Sequence, residues 1–91
     1  MNKRGHFIVS GRVQGVCYRA ATCDEACERG LTGWVRNLDD GRVEIAAEGA
    51  EEQLAGFLAW CKSGPILARV KGVETEYSEA TGEWDSFVVR P

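Results

Sequence analysis

Alternating apolar and polar positions predict the strands of this chain. In the first predicted strand, Phe7, Val9, Gly11 and Val13 fall on one face, and Ile8 is the one apolar residue on the other. Alternation with a period of two is typical of a strand whose one face packs on a core. We therefore expect a central strand near the N-terminus.

Four further segments are predicted as strands by the same alternation. They cover residues 31–36, 42–48, 68–78 and 84–90. Asp40-Gly41 is typical of a tight hairpin turn and separates the first two of these segments. Thr81-Gly82 predicts a turn between the last two. The chain thus contains four or five strands.

Two helices are predicted between these strands from apolar residues at helical spacing. Residues 19–29 carry Ala20, Cys23 and Cys27 at helical spacing, and Gly30 is a natural C-terminal stop for a helix. The second helix is predicted from an apolar stripe at i, i+3, i+4 and i+7 that ends before Ser63-Gly64-Pro65. That stripe consists of Leu54, Phe57, Leu58 and Cys61.

The predicted order of elements is β-α-β-β-α-β with an extra edge strand. This order is typical of the α+β, ferredoxin-like split βαβ sandwich, in which two helices pack on one face of an antiparallel sheet of four to five strands. With 91 residues, we expect one domain over residues 1–91. The fold hosts enzymes, RNA-binding domains and metal-binding modules, so function has to be argued from the site.

The net charge and the length of the first apolar run argue against some classes of partner and compartment. The formal charge of −3 and the pI near 5.1 lack the basic character of a nucleic-acid-binding domain. The first apolar run is too short for a signal peptide or a membrane span. We therefore expect a cytoplasmic protein that binds neither nucleic acid nor membrane. Glu48, Glu51 and Glu52 are expected on the solvated surface.

The four cysteines are expected to be reduced thiols. None forms a C-x-x-C pair, and a cytoplasmic setting disfavours disulfides. Cys23 and Cys27 lie four residues apart on the first predicted helix, a spacing that could hold a metal. The only histidine, His6, is far from them in sequence, so we predict buried apolar cysteines and no metal site.

Residues 9–19 have the pattern of an anion-binding turn. An apolar strand leads through a turn containing Gly15 into a helix that begins near Arg19. Such a turn can direct several backbone N–H groups into one concavity, and the dipole of the following helix favours negative charge there. A cation at this position opposes the dipole, so Arg19 points to a bound anion. A surface arginine on an ordinary turn is the alternative.

Two stretches of the chain resemble the signatures of the acylphosphatase family. Residues 9–19, Val-Ser-Gly-Arg-Val-Gln-Gly-Val-Cys-Tyr-Arg, resemble the first signature. Residues 33–37, Gly-Trp-Val-Arg-Asn, followed by Gly41, Val43 and Gly49, resemble the second. Their order and spacing match those of the family, and the resemblance covers essentially the whole chain.

The resemblance implies hydrolysis of a carboxyl–phosphate bond without a cofactor or a metal. In this family, an arginine and a loop of N–H groups hold the phosphoryl group, and an asparagine places the attacking water; these roles fall on Arg19 and Asn37. The implied phosphate-binding loop consists of Gln14, Gly15, Val16, Cys17 and Tyr18. Tyr18 departs from the phenylalanine that is usual in the family. We expect a monomer that takes a small acyl phosphate and is inhibited by the product phosphate.

The residue types fit this chemistry on physical grounds. Phosphoryl transfer needs positioning and charge stabilisation more than covalent chemistry. Asn37 can orient a water through its amide oxygen but cannot act as a general base. A carboxylate, whose conjugate acid has a pKa of about 4, leaves without a proton. Both signatures lack the general acid that a phosphate monoester would require.

Two alternatives stay open at this point. Cys17 could attack phosphorus as a thiolate, but Cys-dependent phosphatases have five residues between the cysteine and the arginine, and here only Tyr18 separates Cys17 from Arg19. The other alternative is a non-catalytic module that binds phosphate or carboxylate. Such a module needs Arg19 but has no use for Asn37.

Overall fold

Two helices and five strands form the part of the chain that the computed structural model describes, residues 2–91. The elements are β1 (Asn2–Arg12), α1 (Tyr18–Glu28), β2 (Thr32–Asn37), β3 (Val43–Ala50), α2 (Glu51–Ser63), β4 (Arg69–Glu79) and β5 (Phe87–Val89). Both helices pack on one face of a single sheet, which confirms the predicted ferredoxin-like α+β fold. No helix within residues 2–91 is long and apolar enough to cross a membrane.

The sheet is mixed, with strand order β4-β1-β3-β2-β5. β3 lies at its centre. β1 is also an inner strand, between β4 and β3. The pairs β1–β3, β1–β4 and β2–β3 are antiparallel, whereas β5 pairs with β2 in parallel. The turn at Thr81-Gly82 therefore does not join two paired strands. It lies in a connection that carries the chain from one edge of the sheet to the other.

The strand directions determine which loops meet. β1 and β2 are both antiparallel to β3, so they run in the same direction, and β5 runs with β2. The carboxyl ends of β1, β2 and β5 consequently lie at the same end of the sheet. The loop after β1, the last residues of β2 and the last residues of β5 are brought together there.

The core lies between the helices and the sheet. α2 buries Leu54, Phe57 and Cys61, as the predicted stripe requires, and Leu58 is partly buried at its margin. From β1, Phe7 and Val9 enter the core; Val13 follows the strand and is also buried. A β-bulge between Ser10 and Gly11 interrupts the pairing of β1 with β4. Gly11 has a φ of 121°, and a side chain there would collide with the Arg69 carbonyl oxygen.

The predicted inner face of α1 was wrong. The helix buries Tyr18, Thr22 and Ala26, whereas Ala20 and Cys27 are exposed and Cys23 is partly buried. Thr22 is acceptable in the core because its hydroxyl donates to the carbonyl oxygen of Tyr18 at 2.7 Å. An apolar pattern could not identify this face, since one of its three members is polar.

Glu48 was expected on the surface but is buried. Its carboxylate accepts from Arg4 Nε at 2.7 Å and from the backbone N–H groups of Thr81 and Gly82 at 2.9 and 3.0 Å. Burial alone would raise its pKa; these hydrogen bonds and the nearby guanidinium outweigh burial, and the net pKa of Glu48 is lowered. The ion-paired carboxylate fastens the connection between β4 and β5 to the sheet.

Candidate active site

The loop between β1 and α1 turns sharply through two left-handed residues. Gly15 has a φ of 75° and Cys17 a φ of 63°. A Cβ added at Gly15 would meet no atom within 4 Å, so the backbone conformation, and not crowding by the protein, favours glycine there. Left-handed residues within a turn direct successive N–H groups toward one side, the arrangement that binds anions.

The N–H groups of this turn are available for a ligand. Within residues 2–91, none of the backbone N–H groups of residues 14–20 donates a hydrogen bond to a backbone or side-chain acceptor. The first backbone donor of α1 that has a partner is Ala21, which donates to the carbonyl oxygen of Cys17 at 3.1 Å. Cys17, at the N-cap, provides no side-chain cap. A phosphoryl group placed here would satisfy donors that the fold leaves unused.

The start of α1 is electropositive. Its first turn contains no acidic residue and carries Arg19, whereas the first turn of α2 carries Glu51 and Glu52, which compensate the dipole of that helix. Arg19 is partly buried and donates from Nη1 to the carbonyl oxygen of Arg90 at 3.1 Å. It forms no ion pair with a carboxylate in the described chain. Most of its five N–H donors therefore remain free for an anion.

Asn37 is the last residue of β2, where it pairs with Val43 of β3. Its Oδ1 is buried and has no hydrogen-bond partner among residues 2–91. Leaving a buried carbonyl oxygen unpaired costs about 1–3 kcal/mol. An O–H group that entered the site would supply the missing hydrogen bond.

A cavity of about 240 Å³ joins these groups. Its lining comprises Val13, Gly15, Cys17, Tyr18, Arg19, Ala20, Asn37 and Val89. Two residues of the predicted loop do not line it. The Val16 side chain is buried in the core, and the Gln14 side chain turns to the hairpin between β2 and β3, where it binds the carbonyl oxygens of Leu38 and Arg42.

Sequence reasoning missed the contribution of the C-terminal strand to this site. Val89 lines the cavity, and Arg90 supplies the carbonyl oxygen that holds Arg19. Both residues reach the site because β5 pairs with β2 in parallel. No local pattern in residues 84–90 signals that pairing, since it joins segments about fifty residues apart.

Tyr18 fastens the start of α1 to the end of α2. Its ring is buried, and the centre of this ring lies 5.9 Å from the centre of the Trp60 ring. Its hydroxyl donates to the carbonyl oxygen of Cys61 at 2.8 Å. Burial raises the pKa of this hydroxyl, so it stays protonated and remains a donor. Burial also raises the pKa of the Cys61 thiol to about 12, which keeps that cysteine a neutral core residue. The hydroxyl that distinguishes Tyr18 from phenylalanine thus has a buried partner.

A larger groove of about 670 Å³ lies at the opposite end of the sheet, between α2 and β4. Its Lys3 and Glu79 pair with each other at 3.4 Å, so these charges are already compensated. The smaller cavity, which contains the unused donors and acceptor, is therefore the candidate active site. Within residues 2–91 there is no group of three or more His, Cys, Asp or Glu side chains arranged to hold a metal ion.

Comparisons with a family model, with related sequences and with solved structures all point to the same family. The acylphosphatase family model matches residues 5–89. An acylphosphatase of Methylococcus capsulatus is 56% identical over 87 residues, which cover 96% of this chain and 95% of that protein. The crystal structure of the Bacillus subtilis acylphosphatase is 39% identical and superposes with a TM-score of 0.95, covering 98% of this chain and 99% of that one. An acylphosphatase structure from Coxiella burnetii is 37% identical, with a TM-score of 0.91 and coverages of 98% and 93%.

Proposed function

This chain belongs to the acylphosphatase family and is an enzyme that hydrolyses acyl phosphates; from that premise, we propose how its own residues carry out the reaction. The phosphoryl group of the substrate sits in the turn formed by residues 14–18. The backbone N–H groups of residues 14–19 and the guanidinium of Arg19 hold its oxygens. Asn37 orients the water that attacks phosphorus.

Charge stabilisation comes from the turn and from Arg19. The N–H groups of residues 14–19 have no protein partner, and together with the dipole of α1 they are available to the phosphoryl oxygens. The hydrogen bond to the Arg90 carbonyl oxygen holds the Arg19 guanidinium in place, and its remaining donors form a planar fork suited to two phosphoryl oxygens. The protein therefore compensates the negative charge of the transferring group without moving a proton.

The single observation that carries the hydrolytic role is the buried, unpartnered Oδ1 of Asn37 in the same cavity as Arg19. This atom accepts a hydrogen bond from the attacking water and places it against the bound phosphoryl group. An amide oxygen is too weak a base to deprotonate water, so orientation is the contribution of Asn37. A module that only bound phosphate would have no need for this acceptor.

The leaving group determines the substrate class. The residues that line the cavity include no Asp, Glu, His or Lys, and the Tyr18 hydroxyl is committed to the Cys61 carbonyl oxygen. The remaining proton donor among the lining side chains besides Arg19 and Asn37, the Cys17 thiol, takes no part in the proposed reaction. A carboxylate leaves without protonation, whereas an alkoxide requires a general acid. Acyl phosphates are therefore hydrolysed and alkyl phosphate monoesters are not. The reaction uses no cofactor, and inorganic phosphate, as the product, competes for the same turn.

Phosphate release from acetyl phosphate, compared with release from an alkyl phosphate monoester, tests this proposal. We expect rapid release from the acyl phosphate and no release above background from the monoester. Equal rates on the two substrates would contradict the assignment of the leaving group. Phosphate binding without turnover of any acyl phosphate would support the non-catalytic alternative.

A further inference from the structure

We propose that the side chain of Gln14 is a positioning residue that holds Asn37 at the correct distance from the phosphate-binding turn. This inference rests on the proposed role of Asn37 in orienting water. The main chain of Gln14 belongs to the turn, but its side chain leaves the cavity and binds the hairpin that carries Asn37. The two halves of the site are thereby joined.

The amide of Gln14 uses both of its N–H donors on this hairpin. Nε2 donates to the carbonyl oxygen of Leu38 at 2.8 Å and to that of Arg42 at 2.9 Å. The hairpin closes on itself at the same atoms, because the Leu38 N–H donates to the Arg42 carbonyl oxygen at 2.8 Å and the Gly41 N–H donates to the Leu38 carbonyl oxygen at 3.2 Å. The carbonyl oxygen of Leu38, the residue next to Asn37, therefore accepts hydrogen bonds from both Gln14 and Gly41.

The sheet does not supply this connection by itself. β3 lies between β1 and β2, and the pairing of β1 with β3 ends at Val9 and Val43. Gln14 is five residues beyond that last pair. In the described chain, the two bonds from Gln14 are the only hydrogen bonds between residues 13–17 and residues 37–43. They are the direct polar link between the turn and the strand end that carries Asn37.

Loss of these bonds has a selective consequence. The turn and Arg19 bind phosphate without help from the hairpin, so phosphate affinity does not depend on the Gln14 side chain. The attack of water depends on the separation of Asn37 from the bound phosphorus, and misplacement of a reacting group by about 1 Å can cost a factor of 10² in rate. Removing the bonds should lower kcat and leave phosphate binding intact.

Gln14→Met is the most direct variant, because methionine has a similar length and no N–H donor. The carbonyl oxygens of Leu38 and Arg42 keep their backbone donors, so the variant is expected to fold. We expect kcat on acetyl phosphate to fall about tenfold or more, with the inhibition constant of inorganic phosphate unchanged. Gln14→Glu, which turns a carboxylate toward two carbonyl oxygens, is a second variant and should lose at least as much kcat.

Gln53→Met provides a matched control for this exchange. Gln53 is exposed on α2, where its Oε1 accepts from Arg29 Nη1 at 3.3 Å, and it does not line the cavity. We expect this variant to keep the kcat of the wild type. Circular dichroism and the melting temperature of every variant establish that the protein assayed is folded.

A double-mutant cycle with Asn37→Ala decides whether Gln14 acts through Asn37. If it does, adding Gln14→Met to Asn37→Ala lowers kcat no further. An equal loss in both backgrounds, an unchanged kcat in Gln14→Met, or a parallel loss of phosphate affinity would overturn the inference while leaving the proposed function standing. An unchanged kcat in Asn37→Ala would overturn the water-positioning role and this inference together.

Discussion

The guanidinium of Arg19 donates from Nη1 to the backbone carbonyl oxygen of Arg90 at 3.1 Å. Arg90 is in turn fixed to the sheet, since its N–H donates to the carbonyl oxygen of Val35 at 2.8 Å and its guanidinium lies 4.6 Å from the centre of the Trp34 ring. The residue that follows β5 thus orients the cation at the start of α1. The two residues are 71 positions apart in the sequence and meet only in the fold.

Arg19→Lys should be nearly as damaging as Arg19→Ala. A lysine ammonium cannot hold the Arg90 carbonyl oxygen and also present a planar fork to two phosphoryl oxygens. We expect kcat/KM on acetyl phosphate to fall by about 10²-fold or more in both variants. Arg12→Lys, at an exposed arginine, is the control for the exchange. Near-normal kcat/KM in folded Arg19→Lys would refute a bidentate role.

Asn37→Ala should separate chemistry from binding. Removal of Oδ1 leaves the attacking water without its acceptor, so kcat should fall by about 10²-fold. The competitive inhibition constant of inorganic phosphate reports binding to the turn and Arg19, and it should stay within about twofold of the wild-type value. The exposed Asn2 provides the control, Asn2→Ala. If phosphate affinity falls in proportion to kcat, Asn37 is part of the anion clamp instead.

Cys17→Ser should retain most of the activity. Cys17 is exposed and lines the cavity, but the proposed reaction uses water as the nucleophile and needs neither a thiolate nor a metal. Prolonged treatment of the wild type with a chelator should likewise leave the activity unchanged. Mass spectrometry after rapid quenching should detect no phosphocysteine, and its detection would establish covalent catalysis.

Gly15→Ala should lose the stabilisation that phosphate gives to the wild type. A ligand that binds only the folded state raises its stability by RT ln(1 + [L]/Kd), or about 2.7 kcal/mol at a hundredfold excess over Kd. With a φ of 75°, alanine at this position strains the turn that presents the N–H groups. We expect a phosphate-dependent rise in Tm for the wild type, measured at matched ionic strength against chloride, and little rise for the variant.

Gly30→Ala is the control for this experiment. Gly30 has a φ of 70° and equally open surroundings, but it lies beyond the other end of α1. The variant should lose stability and keep the full phosphate-induced rise in Tm. An equal rise in wild type and Gly15→Ala would show that phosphate binds outside the turn.

Glu48→Gln should destabilise the protein in a pH-dependent way. The pKa of Glu48 is lowered in the folded state, so its contribution is present above the unfolded value of about 4.3 and is lost as the pH falls through the folded value. At pH 7, we expect the free energy of unfolding to drop by about 2 kcal/mol. Denaturant titrations should show this difference shrinking below pH 4. A difference that is independent of pH would mean that the charge is not responsible.

Most of the turn between β1 and α1 was determined by the sequence itself, because the features that form it are local. A strand, a glycine that accepts a positive φ and a helix start follow one another within residues 9–19, and the alternation predicted over residues 31–36 stops directly before Asn37. Likewise, the inner stripe of α2 was predicted correctly because its buried residues are all apolar.

Tertiary structure decided how these local pieces assemble. The parallel pairing of β5 with β2 brings Val89 and Arg90 to the site, and it depends on which sheet edge is free after the other strands have paired. The burial of Glu48 depends on donors from residues 4, 81 and 82, and the inner face of α1 depends on a threonine satisfied by its own helix. A residue's hydropathy cannot report a partner that is distant in sequence, and such partners determine whether a polar group can be buried.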